Sequence, residues 1–320
     1  MTEHYEGHFL RAEHKHLAGT EPVKHARNGD ILPPDLASLV ALVARGGPDP
    51  SEFPEVARAF QHLHSMSCHA HIQRAFEATI VEHCIHGWAN LKPYGYSGDH
   101  VIIDRLYTNW VSADPHLAGW DRFCQAQPAA AAVRNRKQLF LSLLCELTHK
   151  TTGNISVLNV ASGPARDVLE FMQGAAAGRV RITCLDNDAK ALGYAAELCR
   201  EHRDRVQFRL GNALRFRSDE RFDLIWSAGL FDYFNDRQFV RVARRLYNYL
   251  RPGGELVIGN FSDANPSRAV MEALLDWHLH HRSAQQLREL ARTAGVPDML
   301  VKVIAEPEGV NLFVRMTAAG

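Results

Sequence analysis

Residues 156–164 read Ser-Val-Leu-Asn-Val-Ala-Ser-Gly-Pro, and this stretch decides the fold. A short aliphatic run stops at a small-residue turn around Gly163, and a helical pattern follows over 165–173. That pattern marks a buried parallel strand whose C-terminal end meets a loop where backbone can approach a ligand closely. A second run, 180–185, ends on Asp186-Asn187-Asp188. An acidic residue at the tip of the second strand, about 20 residues past the glycine turn, is placed to accept hydrogen bonds from a ribose diol. Together the two segments predict a nucleoside-binding α/β domain.

The loop has no G-x-G-x-x-G dinucleotide fingerprint, because Pro164, Ala165 and Arg166 stand where further glycines would be. It has no G-x-x-x-x-G-K-[ST] triphosphate cradle either. Further strands are expected at 206–210, 222–226 and 255–259, with a helix over 236–250 and the turn Arg251-Pro252-Gly253-Gly254 before the fifth strand. This order resembles the class I S-adenosylmethionine-dependent methyltransferases over about residues 154–317, and the Leu250–Gly254 turn is a specific part of the likeness. Against that family's acidic-x-Gly-x-Gly-x-Gly loop, only Gly163 is kept, and Asn159 stands at the acidic position. The resemblance implies an α/β fold: a doubly wound, mostly parallel seven-stranded Rossmann-like sheet, with an antiparallel edge pair at 299–304 and 310–316. The implied cofactor is S-adenosyl-L-methionine.

Thirty-six basic residues balance thirty-six acidic ones, and 46% of the chain is hydrophobic. With no net field, nucleic acid is a poor partner, and a small-molecule substrate is expected instead. No apolar run approaches the ~18 residues of a membrane span. Residues 1–15 lack the apolar core of a signal peptide. Cysteines at 68, 84, 124, 145, 184 and 199 show no C-x-x-C spacing. Cys145, Cys184 and Cys199, in apolar patterns, read as free buried thiols in a reducing cytoplasm. Nothing in the sequence fixes the oligomeric state.

Residues 1–30 read as a flexible leader and 31–150 as a helical cap that shapes the substrate chamber of a catalytic domain at 151–320. Within the cap, a helix begins at Pro33-Pro34-Asp35 and stops at Gly46-Gly47-Pro48. A long helix is expected over 54–86 and others over 100–110 and 128–149. Between them, residues 88–99 carry two glycines, a proline and two tyrosines, the composition of a structured loop.

The likeness narrows through Lys92–Asp99, Ala132–Arg136, Gly229–Phe234, Asp276–Leu279 and Glu306–Phe313, which occur together here. This combination is similar to bacterial 3-hydroxypalmitic acid methyl ester biosynthesis proteins, over about residues 85–316. It implies methyl ester formation on a lipid-like carboxylate. The same wider group includes enzymes that cyclise S-adenosylmethionine to azetidine-2-carboxylate, and both outcomes stay open at this point. A third reading, a non-catalytic nucleoside-binding protein, rests on the degenerate glycine loop alone.

The candidate cofactor contacts are Ser162 and Gly163 in the loop, Asp186 and Asn187 at the second strand tip, Asn212 and Ala213 beside the adenine, and Ser227 closing the fourth strand. Asp186 has a plainer alternative as part of a helix N-cap. Methyl transfer mainly needs orientation and exclusion of water, and a carboxylate acceptor needs no base because it is ionised at neutral pH. Tyr94 and Tyr96, flanked by glycines, are candidates to face a sulfonium. Arg134 could fix a carboxylate through its fork. Asp276 and His278, in an expected helix after the fifth strand, are acid/base candidates. Asn260 and Asn311 are weaker ones. His62, His64, His69 and His71 lie close together with Cys68 among them; on one helix His64, Cys68 and His71 fall on neighbouring turns, where a metal site is geometrically possible, but no three-ligand set with supporting contacts is recognisable, so a solvated helix face and no metal are expected.

Overall fold

The computed structural model describes residues 33–320; the leader expected over 1–30 lies outside the described residues. Seven helices come first: α1 (Pro34–Arg45), α2 (Phe53–Ser65), α3 (His69–Phe76), α4 (Ile85–Leu91), α5 (His100–Tyr107), α6 (Pro115–Gln125) and α7 (Pro128–Lys150). The alternating half follows as β1 (Ile155–Val160), α8 (Arg166–Met172), β2 (Val180–Asp186), α9 (Ala189–Leu198), β3 (Val206–Leu210), β4 (Phe222–Ser227), α10 (Asp236–Tyr247) and β5 (Leu250–Phe261). It ends with α11 (Arg268–Leu274), α12 (Ala284–Thr293), β6 (Val301–Ala305) and β7 (Asn311–Thr317).

The strands form one seven-stranded sheet in the order β3-β2-β1-β4-β5-β7-β6. The first five are parallel, and β7 runs antiparallel between β5 and β6. β1 and β4 are almost wholly buried, as strands covered on both faces must be, which is why they read as continuous apolar runs. The order reverses between β1 and β4, so a crevice opens beyond their carboxyl ends. The expected turn at 251–254 is a bulge inside β5: Phe222 pairs with Leu250 and Leu224 with Glu255, with Gly253 at φ 74° taking up the extra length.

The long helix expected over 54–86 is broken. Cys68 N bonds Leu63 O and Ser67 N bonds His64 O around Ser67 at φ 58°. This is a left-handed helix ending made without a glycine, and it reverses the chain into α3. Trp88 to Leu91, expected as loop, belong to α4. Helix α6 was not anticipated, although Asp114 caps it and Pro115 opens it. Residues 276–278 are not helical: α11 stops at Leu274, and Asp276 sits at φ 45°. Cys145 is half-buried rather than buried.

Hydrophobic cores cross the 150/151 division. One cluster joins Leu39, Phe60, Ile72 and Trp120 of the cap to Phe261, Val270, Leu274 and Trp277 from the second half. Helix α7 contributes Ala129–Val133 to that cluster and Phe140, Leu143 and Leu144 to the cluster beneath β1 and β2. Asp104 on α5 also receives Arg166 and Tyr194 from α8 and α9. A fragment of residues 151–320 therefore leaves two apolar faces uncovered and is expected to lack a cooperative thermal transition. A circular-dichroism melt of that fragment with the midpoint of the full chain would contradict this.

Candidate active site

The loop after β1 runs through three left-handed residues, Ala161, Gly163 and Ala165, at φ 55°, 54° and 52°. These are the glycine positions of the expected loop, so alanines hold the same backbone at two of them. Gly163 N donates to Asp186 Oδ2 at 2.9 Å, and Asp188 N to Asp186 Oδ1 at 3.0 Å. Asp186 is thus fixed by backbone donors at the tip of β2, and burial pushes its pKa up. Asn159 Nδ2 and Ser162 Oγ are buried without a hydrogen-bond partner. Both line the cleft, together with Gly163, Asp186 and Asn187.

The opposite wall comes from the cap. His100, Ile103 and Tyr107 face the cleft from α5 at helical spacing, and Tyr96 faces it from the loop before α5. The roof is a tight contact. A Cβ on Gly98 would collide with Tyr233 Oη and lie 2.6 Å from the Trp277 ring, while Trp277 Nε1 donates to Tyr233 Oη at 2.9 Å. Burial raises the pKa of Tyr96 and Tyr233, so both phenols stay protonated.

Arg136 is the charge inside. It is 5% exposed; its Nε donates to Tyr107 Oη at 3.2 Å and its Nη1 to Ala228 O at 3.3 Å. Its Nη2 makes no hydrogen bond among the described residues. Burial opposes the charge, but Tyr107, Asp232 and Asp167 outweigh it and raise the pKa. The two carboxyls are themselves pushed up by burial, Asp167 to about 6 and Asp232 to about 7.

Of the residues expected at the site, Tyr96, Ser162, Gly163, Asp186 and Asn187 line the cleft, and the others do not. Tyr94 turns outward, packing on His100 with ring centroids 4.6 Å apart beneath the Lys190 ammonium. Arg134 is bound to Gln125 through Oε1 and the backbone oxygen, both at 2.9 Å. Two residues further on, about 200° around the helix, Arg136 is the arginine that lines the cleft. Ser227 Oγ is committed to Val160 O at 3.0 Å. Asn212 caps its own turn through Leu214 N, Ala213 is buried in the core, and both adjoin Asp186 only through the Gly211 N bond to Asp186 O. Asp276 pairs with Lys92 and His278 on the outside, an arrangement that lowers its pKa to about 2. Between and after them, Trp277 and Leu279 point in. Asn260 ties Phe261 O to His280 O, and Asn311 pairs in register with Phe261. The reading missed His100, Tyr107, Trp226 and Trp277; only the i, i+3, i+7 face of α5 could have signalled the first two.

Residues 157–254 match a family described as a methyltransferase domain. That match spans less than a third of the chain. Two solved structures share the fold. A possible exported protein from Bordetella parapertussis gives a TM-score of 0.60 at 20% identity, covering 89% of this chain and 96% of that one. The S-adenosylmethionine-dependent methyltransferase SibL, in its apo form, gives 0.50 at 18% identity, covering 83% of this chain and 78% of its own. No curated protein matches the chain by sequence. The cleft thus presents a carboxylate acceptor at Asp186 and two polar atoms without partners, Asn159 Nδ2 and Ser162 Oγ. Among the described residues, no helix is long and apolar enough to cross a membrane.

Asp167 and Asp232 also set a pH dependence. Their folded pKa values lie above the ordinary 3.8, so the folded protein holds protons that the unfolded chain has released. The corresponding stability is complete below pH 3.8 and is lost as pH rises through about 6 and 7. Asp232→Asn keeps an acceptor for Phe261 N, which donates to Asp232 Oδ1 at 2.6 Å, but cannot ionise. Its Tm is expected to fall less than the parent's between pH 5 and pH 8; equal slopes in differential scanning fluorimetry would refute the assignment.

Proposed function

We propose that this enzyme methylates a carboxylate of a small or lipid-like metabolite, forming a methyl ester, and works in the cytoplasm, which suits its six free cysteines. The observation that carries the reading is Arg136: a buried guanidinium beside Ala228 and Gly229, in the cleft that the glycine loop also lines, with donors left over for an anion. Its planar fork matches a carboxylate, and burial strengthens the charge-assisted bonds. Bound S-adenosylmethionine supplies an electrophilic methyl carbon on a sulfonium. Gly163, Asp186 and Asn187 would hold its nucleoside, with Ser162 and Asn159 adding hydrogen bonds. An ionised acceptor needs no proton removed, so the chain's task is orientation and dryness. Arg136 orients, the Tyr233–Trp277–Gly98 roof excludes water, and Tyr96 presents a ring face and a protonated hydroxyl to the sulfonium region. Balanced charge and the small cleft fit a small-molecule partner rather than nucleic acid. The similarity to 3-hydroxypalmitic acid methyl ester enzymes agrees with this substrate class.

The tight roof favours one alternative, in which S-adenosylmethionine is the only substrate, its carboxylate lies on Arg136, and it is cyclised to azetidine-2-carboxylate. The non-catalytic reading loses its ground, because the degenerate loop keeps its left-handed backbone. Incubation with S-adenosylmethionine alone separates the two enzymes. Methyl transfer predicts no turnover until a carboxylic acid is added, and then S-adenosylhomocysteine with a methyl ester. Methylthioadenosine formed without an acceptor would replace this reading by cyclisation.

Arg136→Lys keeps the charge and loses the fork; kcat/KM is expected to fall at least about 100-fold, or ~2.7 kcal/mol of barrier. Arg134→Lys should stay within about threefold, and the reverse ranking would transfer the role back to Arg134. For the loop, Tyr96→Ala is expected to lower turnover at least about tenfold, with Tyr94→Ala near the parent, since about tenfold corresponds to ~1.4 kcal/mol. Equal rates for both variants would make the loop a structural lid only.

A further inference from the structure

Outside the cleft, the break between α2 and α3 has a chemical consequence. The reversal at Ser67 folds His69 back on His64, so that His64 Nδ1 and His69 Nε2 lie 2.8 Å apart. Their rings stand nearly perpendicular, at 79°, with centroids 4.7 Å apart. From α11, about 200 residues further along the chain, Glu272 brings Oε2 to 3.6 Å from His64 Nε2. One ligand atom from each of the three side chains lies within 4.8 Å of the other two. Two imidazoles and a carboxylate are a donor set for zinc, with water completing the shell. Tetrahedral ligation at zinc–nitrogen lengths puts ligand atoms about 3.3 Å apart, so the histidine nitrogens at 2.8 Å would open slightly, and Glu272, now 3.6 Å from the other nitrogen of His64, would swing toward the gap between them.

We propose that His64, His69 and Glu272 form a divalent transition-metal site, zinc by its donors, that staples the α2–α3 turn of the cap to α11. Without an ion, the two facing ring nitrogens share a single proton. A cation takes that proton's place, the proton moves to the outer nitrogen of the ring that carried it, and both imidazoles bind the ion in neutral form. Glu272 pairs with Arg268 through Oε1 at 2.7 Å, which leaves Oε2 facing His64, and its side chain is only 10% exposed. The second cluster with metal-ligand chemistry, Cys84, His86 and Asp121, lacks these properties. Asp121 spends both oxygens on Ile85 N and Ser112 N, and burial raises the Cys84 thiol to about 11.

The site lies a few residues from the roof, since α11 runs into Asp276, Trp277 and His278. Filling it would therefore fix the segment that carries Trp277. The test is titration of the chelator-treated full chain with ZnCl2 by calorimetry, beside His69→Ala and Glu272→Gln. Half-buried surface positions make both variants foldable, and circular dichroism checks this. The leader carries His4, His8, His14, His16 and His25, which can take up zinc on their own, so the readout is the number of equivalents lost. The expected result is one equivalent fewer in each variant. The parent's Tm should also rise with zinc by at least about 3 °C, a rise both variants lose. A parent that binds no zinc, or variants that keep every equivalent, would overturn the site. Loss in His69→Ala alone would overturn the three-ligand assignment.

Discussion

Helix α7 passes out of one hydrophobic core into another, and Arg136 stands where it changes over. The helix is about 35 Å long, with Ala129–Val133 packed among the cap and Phe140–Leu144 beneath the sheet. A charge at that junction is taken out of water, which is costly unless polar partners meet it. The partners come from both sides: Tyr107 from the cap, the Ala228 carbonyl beyond β4, and the fields of Asp167 and Asp232. Removing the cap would strip the guanidinium of its tyrosine, and shifting the sheet would strip it of its carbonyl. The cleft exists because both halves are held to the same helix.

The segment after β5 completes that arrangement. Its far end is pinned by Arg282, 4% exposed, which donates to Phe231 O, Phe234 O, Asn260 Oδ1 and Asp236. His280 N bonds Asp232 O, and Asp232 in turn receives Phe261 N. Between this anchor and α11 the chain is neither helix nor strand: Asp276 turns through the left-handed region at φ 45°, and Trp277 N bonds back to Met271 O at 2.9 Å. Trp277 and Leu279 face the cleft, while Asp276 and His278 meet Lys92 outside. A helical reading of the same residues puts Asp276 and His278 in the wrong environment, and that one error of period misassigned both.

The sheet was legible because doubly covered strands are unbroken apolar runs bounded by glycine and aspartate, and β1, β2 and β4 announce themselves. The cap was harder. Val56, Phe60 and Leu63 keep a helical rhythm before Ser67, and Ile72 and Phe76 resume one after it about half a turn out of phase; no proline or glycine marks the reversal there. The site was legible where it depends on backbone, at Gly163 and Asp186, and illegible where it depends on azimuth. Arg134 and Arg136 are the same residue type on the same helix; only the packing of α7 decides which one reaches the cleft. The histidines of α2 and α3 show the same limit: their spacing suits a solvated face on one helix and a convergent cluster on two.

The loop 161–165 carries its own argument about what the cleft is for. A left-handed alanine costs about 1–2 kcal/mol, yet Ala161 and Ala165 both adopt that conformation. Ala161 N is held by Leu185 O at 2.7 Å, and Ala165 N by Ser162 O at 3.1 Å. Positive φ alone therefore does not demand glycine in this loop. Nor does packing, because a Cβ on Gly163 would meet nothing within 4 Å. At Gly98 the opposite holds, and the reason for glycine lies in the neighbouring rings. With backbone and neighbours both excluded at Gly163, the space a methyl would fill is free for something outside the polypeptide. A ligand lying against that backbone, beside the Asp186 carboxylate, gives the missing Cβ a physical reason.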